Sequence, residues 1–256
     1  MERPTQEGLV DRQFGSQAEA YLNSAVHSGG PDLKALAALI PDDRKARVLD
    51  LGCGAGHVSF HASPRAREVV AYDLSQDMLN VVARAASERG LSNVTTKQGA
   101  VEKLPFDDAS FDAVLCRHTA HHWRDFNAAL REAFRVLKPG GIAGVVDAVS
   151  PGVGMLDTFM QAIELLRDPS HVRDYSHAEW SDALQRAGFF LDGVEMFRIR
   201  IEYASWIARM RTPKVNADAI RALEQAMPET VARYFNLGAD GSFDLDIALF
   251  KTTKRA

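Results

Sequence analysis

Residues 116–123 read CRHTAHHW, which puts three of the chain's eight histidines within five positions. An imidazole titrates near pH ~6.5 and can take or give a proton under neutral conditions. His121 and His122 are therefore candidate general bases, and His118 is a candidate substrate contact. A His-x-x-His pair can also chelate a metal. No carboxylate or thiolate follows at ligand spacing, so no metal is expected. Plain packing is the alternative for at least one of them. Neighbours in a helical turn point in different directions, so one could face a pocket while the other is buried.

A second stretch, VLDLGCGAG, spans residues 48–56. An apolar run enters glycines at Gly52, Gly54 and Gly56. Glycines there let the backbone turn sharply and approach a ligand closely. Asp73 ends the next apolar run, 23 residues after Asp50. An acid at that place can accept from both hydroxyls of a ribose. The loop and the acid together point to a ligand that contains a nucleoside. A dinucleotide loop would carry glycine at position 57, where this chain has His57. Cys53 reads as a small loop residue, because a redox role would want a partner cysteine nearby.

These residues need elements to hold them. Apolar runs at 47–51, 68–73, 93–98, 111–116 and 142–147 read as buried strands. Helical patterns at 76–89 and 126–137 alternate with them, the second stopped by KPGG. That alternation predicts an α/β chain with a parallel sheet covered on both faces. Upstream, residues 15–27 look helical, with Ala18, Tyr21, Leu22 and Ala25 on one face, and a second helix follows at 32–40. Downstream the pattern changes to helices at 155–167, 177–188 and 217–227 and strands at 194–203 and 244–253. The expected organisation is an N-terminal helical lid (1–45), a cofactor-binding core (46–150) and a substrate-side region with closing strands (151–256).

Composition narrows the function. The 256 residues are 46% hydrophobic and 25% charged, as in ordinary soluble domains. A net charge of -4 gives no reason to expect nucleic acid. The two cysteines suit a reducing cytosol, so a cytoplasmic location is expected. MERPTQEGLV lacks the apolar stretch of a signal peptide, and no run reaches the ~20 apolar residues that span a bilayer.

The motifs VLDLGCGAG, AYDLS, LPFDDASFDAVLC and RVLKPGG, in this order over residues 48–141, resemble class I S-adenosylmethionine-dependent methyltransferases. Within these the chain is similar to the UbiE-like, type 11 group. The flanks FGSQAEAYLNSAVH, AHHW, SHVRDYS and WIARMRTP resemble the bacterial YafE-like branch. The resemblance implies a Rossmann-like, doubly wound, mostly parallel seven-stranded sheet with helices on both faces and an antiparallel C-terminal strand. It implies S-adenosyl-L-methionine as cofactor and S-adenosyl-L-homocysteine as product. Gly52, Gly54 and Gly56 would face the amino-acid portion, with Asp50 near its amine, and Asp73 would hold the ribose. Leu74 and Met78 would lie near the adenine. Cys116 and Arg117 would border the cofactor. Phe14 and Tyr21 resemble lid residues, where an aromatic face suits a sulfonium cation. One departure stands out: the family's adenine-binding Asp is replaced by Ala100. The backbone of Val101 could still pair with the ring, and Glu102 could reach the amino group or be solvated.

The expected reaction is in-line methyl transfer to an O, N or C nucleophile of a small molecule, by a monomer or homodimer. His118, Arg173, Tyr175, Trp206 and Arg209 are candidate substrate contacts, the arginines suiting a carboxylate or phosphate. His171, Trp180 and Arg211 are offered by the same segments. Two other readings compete: a nicotinamide-dependent oxidoreductase, and a non-catalytic nucleoside-binding module that has lost a recognition acid at Ala100.

Overall fold

The computed structural model describes residues 3–22, 28–42 and 44–255. Seven strands form one sheet: β1 Arg47–Leu51, β2 Glu68–Asp73, β3 Val94–Gln98, β4 Phe111–Arg117, β5 Leu137–Ala148, β6 Phe190–Ile201 and β7 Phe243–Thr253. Their order is β3-β2-β1-β4-β5-β7-β6. The first five run parallel, and β7 is antiparallel to both of its neighbours. The apolar runs seen in the sequence are explained by burial on both faces, as in β1, where Val48 and Leu49 are fully buried. The strand order reverses between β1 and β4. That reversal opens a crevice beyond the carboxyl ends of these two strands, where sheets of this kind bind ligands.

Helices cover both faces. On the core side they are α4 His57–Ala62, α5 Gln76–Glu88 and α6 Phe126–Val136. Asp125 caps α6 by accepting from the Ala128 N–H. Before the sheet come α1 Gln6–Phe14, a 3-10 turn at Gly15–Gln17, α2 Ala18–Leu22 and α3 Pro31–Ala37. After it come α7 Gly154–Arg167, α8 His177–Ala187, α9 Tyr203–Met210, α10 Lys214–Ala226 and α11 Glu229–Tyr234. The start of α8 carries a reciprocal capping box between Ser176 and Glu179. No helix among the described residues is long and apolar enough to cross a membrane.

Several boundaries differ from the sequence reading. Helix begins at Gln6, capped by Thr5, rather than at residue 15. Residues 23–27 of the expected first helix, with Ala25, lie outside the described residues. KPGG is part of β5, because Leu137 pairs with Phe111 and a bulge shifts the register before Ala113 meets Ile142. β6 starts at Phe190 and ends at Ile201, and Tyr203 opens α9 instead of closing a strand. Trp180 is fully buried, stacked on Phe250 at 5.2 Å, and so belongs to the core rather than to a substrate wall.

Two adjoining cavities as the candidate active site

The glycine loop leaves β1 with all three of its glycines in the left-handed region, at φ 71° for Gly52, 49° for Gly54 and 87° for Gly56. Gly52 has no room for a side chain, since a Cβ there would meet the Thr119 side chain at 2.5 Å. A Cβ on Gly54 would meet nothing within 4 Å, because it would project into an open cavity. The loop is pinned from beneath by the Gly52 and Cys53 N–H groups donating to the Tyr72 carbonyl at 2.8 and 3.0 Å. Asp73 accepts from Gly54 N at 2.8 Å and from Ser75 N at 2.9 Å. Each oxygen keeps acceptor capacity, and the residue lines the cavity.

This first cavity is lined by most of the expected cofactor residues. Leu74, Met78, Ala100, Val101 and Glu102 form one end, and Phe14 and Tyr21 cover the other. Asp50, Gly56 and Cys116, expected at the cofactor, do not line this cavity. Asp50 is fully buried behind the loop, where its Oδ2 accepts from Ser59 N (2.9 Å) and Ser59 Oγ (2.6 Å). It therefore braces the loop from behind, its Oδ1 has no partner, and burial pushes its carboxyl up to about 7. Cys116 points into the core on the opposite side of β4 from Arg117, away from this cavity. Glu102 lines the adenine end, where its Oε1 accepts from the N–H groups of Arg124 and Asp125 at 3.1 and 3.2 Å.

The histidine loop follows β4. His118 N still donates to Val146 O at 2.8 Å, and the chain then turns through a left-handed φ of 52° at His118. A 3-10 turn at Ala120–His122 follows. His121 Nδ1 meets Asp147 Oδ1 at 2.7 Å. Burial opposes charging this imidazole, but Asp147, with Asp174 and Glu164 beyond it, outweighs that and pushes it up to about 9. His122 Nδ1 meets the Ser170 carbonyl at 3.2 Å, and its ring abuts Phe14 at 4.9 Å and His121 at 4.2 Å. Burial and the charge on His121 drive His122 down to about 3. His118 is also lowered by burial, although Asp32 pulls the other way. Arg117 donates to Asp32 Oδ2 at 2.6 Å in an ion pair whose side chains are 6% and 7% exposed.

A second cavity adjoins the first. His121, Trp206, Arg209, Glu164 and Asp174 line it. The Nε of Arg209 is buried without a hydrogen-bond partner. Phe14, Tyr21, Arg117, His118 and His122 line both cavities, so the two spaces meet at these five side chains. Two expected substrate contacts are corrected. Arg173 is held by Glu179 (3.0 Å) and Asp157 (3.2 Å), a pairing that braces the start of α8. Tyr175 stacks on Phe126 at 3.8 Å against the core. His171 is buried against Gln161 at 3.1 Å and lines neither cavity, and Arg211 lies at the C-cap of α9, outside both.

The sequence reading missed Asp32, Asp147 and Gln6. Gln6 Nε2 donates to the carbonyls of Ser170 (2.6 Å) and His122 (3.2 Å). Asp147 carried a usable signal, a lone acid closing the apolar run IAGVVD beside the strand that carries the histidines. Asp32 and Gln6 carried none.

A strand-order reversal, a left-handed glycine loop and an acid closing the second strand define a nucleoside-cofactor enzyme of the class I methyltransferase type. Comparison with known proteins agrees. Residues 49–145 match the methyltransferase domain family termed Methyltransf_11. The uncharacterized protein YafE of Escherichia coli is 46% identical over 80% of this chain and 99% of its own. The crystal structure of YcgJ from Bacillus subtilis superposes with a TM-score of 0.84 at 35% identity, covering 88% of this chain and 98% of its own. A methyltransferase structure from Bacillus halodurans gives 0.85 at 32% identity, covering 89% of this chain and all of its own. The chain belongs to the class I S-adenosylmethionine-dependent methyltransferases, in the branch that holds the UbiE-like and YafE-like proteins. S-adenosyl-L-methionine is its cofactor. The nicotinamide reading falls with this membership, as the His57 position had already implied.

Proposed function

We propose that the chain methylates a small molecule bound in the second cavity. The observation that carries this reading is the meeting of the two cavities at Phe14, Tyr21, Arg117, His118 and His122. A donor in one space and an acceptor in the other would have their reacting ends brought together there, and such alignment can supply ~7–11 kcal/mol of a barrier. The first cavity fits the cofactor. The open cradle at Gly54 suits its amino-acid portion, Asp73 its ribose hydroxyls, and the apolar end at Leu74, Met78 and Val101 its adenine. When bound, the cofactor supplies an electrophilic methyl group on a sulfonium. Ala100 leaves that position without the family's acid, so polar contact to the adenine would fall to the Val101 backbone or to Glu102, which line the same end.

Between the two candidate bases, His122 is the better placed, and its low basicity, set by burial and the charge on His121, suits it to an acceptor whose proton is already acidic. Its Nδ1 faces a carbonyl and therefore carries the proton, which leaves the Nε2 lone pair to accept one. It lines both cavities, whereas His121 lines the second alone and shares a proton with Asp147. The unpartnered guanidinium edge of Arg209, near Trp206, suits an anionic group on the acceptor. In this reading residues 1–45 act as a lid over the cofactor, and residues 151–256 supply the acceptor wall. Calorimetric titration with S-adenosylhomocysteine followed by an acceptor screen tests it. His122→Ala is expected to lower kcat by about 10²-fold or more while leaving S-adenosylhomocysteine affinity within a few-fold. An unchanged kcat at every pH would remove His122 from the mechanism.

A further inference from the structure

Three side chains from three separate segments converge beneath the second cavity. His121 comes from the turn after β4, Asp147 from the end of β5 and Asp174 from the loop between α7 and α8. One ligand atom from each lies within 4.8 Å of the other two. Asp147 and Asp174 are 1% and 2% exposed. Asp147 is fixed in place: its Oδ2 accepts from Ala120 N at 2.9 Å, and its Oδ1 from Ala148 N at 2.9 Å and His121 Nδ1 at 2.7 Å.

Asp174 is different. Its Oδ2 is buried and has no hydrogen-bond partner, and His171 Nε2 stands off at 3.8 Å. Its backbone, in contrast, is clamped: Gln161 accepts from Asp174 N at 3.1 Å and donates to Asp174 O at 2.8 Å. The loop that carries it is tied to the histidine loop by Val172 N donating to His121 O at 2.8 Å. A buried carboxylate oxygen with no partner is costly, and here the backbone holds it in position rather than letting it turn away.

We propose that His121, Asp147 and Asp174 form a divalent metal site whose remaining coordination positions open into the second cavity. The donor set, one imidazole nitrogen and two carboxylates, suits Mn²⁺, Fe²⁺ or Zn²⁺. The His121–Asp147 separation of 2.7 Å is close to an adjacent-ligand edge, which is about 3 Å for bonds of ~2.1 Å. The metal takes the place of the proton that these two groups now share. Asp174 closes the third position and gains the partner it lacks. The backbone N–H groups on Asp147 and the Gln161 clamp on Asp174 are the outer contacts that keep such ligands oriented. If the second cavity is the acceptor cavity proposed above, the ion would take an oxygen of the acceptor, although the site itself does not depend on that reading.

The test uses the full chain stripped with chelator. Mn²⁺ is titrated by electron paramagnetic resonance and Zn²⁺ by calorimetry, with S-adenosylhomocysteine binding measured on the same sample. One ion per chain at micromolar concentration is expected, weakened about 10–100-fold in Asp174→Asn and in His121→Gln. Melting temperature should rise with the ion in the wild type and not in Asp174→Asn. Absence of saturable binding by the wild type below millimolar metal overturns the proposal without recourse to any variant. So does binding that Asp174→Asn leaves undiminished, or a melting rise given by methylammonium and by neither metal, which would assign Asp174 to a cationic acceptor. S-adenosylhomocysteine binding that persists without metal separates this failure from failure of the methyltransferase reading.

Discussion

Asp50 shows how a single carboxylate can govern the pH response of the glycine loop. It is fully buried, one oxygen is bound by Ser59 and the other has no partner. Burial raises its carboxyl from an ordinary 3.8 to about 7. The folded chain therefore keeps a proton that the unfolded chain releases. Stability is full below pH 4, falls as pH rises toward 7 and is flat above it, a loss on the order of 4 kcal/mol. Asp50→Asn supplies an amide to the orphaned position and carries no charge. Denaturant unfolding at pH 5, 6, 7 and 8 should show a steeper decline for the wild type than for this variant. Parallel curves would mean that Asp50 is ionised in the fold.

At the scale of elements, the N-terminal helix is fastened by glutamines. Gln6 reaches the carbonyls of Ser170 and His122, Gln13 donates to Met210 O at 2.7 Å, and Gln17 donates to Arg209 O. His57 on α4 adds a contact to Tyr21 O at 3.0 Å. All five are hydrogen bonds to main-chain oxygens, each contributing about 0.5–1.5 kcal/mol. Such a strap can open without disturbing the sheet. Gln13→Ala combined with Gln17→Ala should speed S-adenosylhomocysteine release about tenfold in stopped-flow measurements, with the melting temperature of the free protein changed by only a few degrees. An unaltered release rate would show that the helix is not a lid.

For the molecule as a whole, ligand linkage gives a direct check. S-adenosylhomocysteine at 100 times its Kd adds about 2.7 kcal/mol to stability, which for a chain of this size raises the melting temperature by about 5–10 °C. NAD should give no rise, and an equal rise with NAD would contradict the cofactor assignment. What the sequence revealed follows the same division of scale. Strands β1 to β4, the helix after Ser75, the glycine loop and Asp73 were legible because each is a local pattern of apolar runs, caps and turn residues. The partners of the histidines were not. Asp147 and Asp174 reach His121 only through sheet order and loop packing, so no spacing along the chain announces them. The same applies to Asp50 and Cys116, whose motif positions were clear but whose directions were set by which face of the sheet they fall on. Arg173 and Tyr175 were misread because a cap and a stacked ring look, in sequence, like groups free to bind.

The placement of β7 between β5 and β6 has a consequence for how the protein is made. A ribosome delivers β6 some forty residues before β7, yet β6 has no place in the sheet until β7 has inserted beside β5. Until then β5 presents an open edge to the cell, a template on which another nascent chain could pair. The cofactor half of the sheet can form early, but the second cavity, walled in part by Leu245 and Ile247, waits for the last strand. Synthesis thus passes through a stage that can hold a nucleoside and not yet an acceptor.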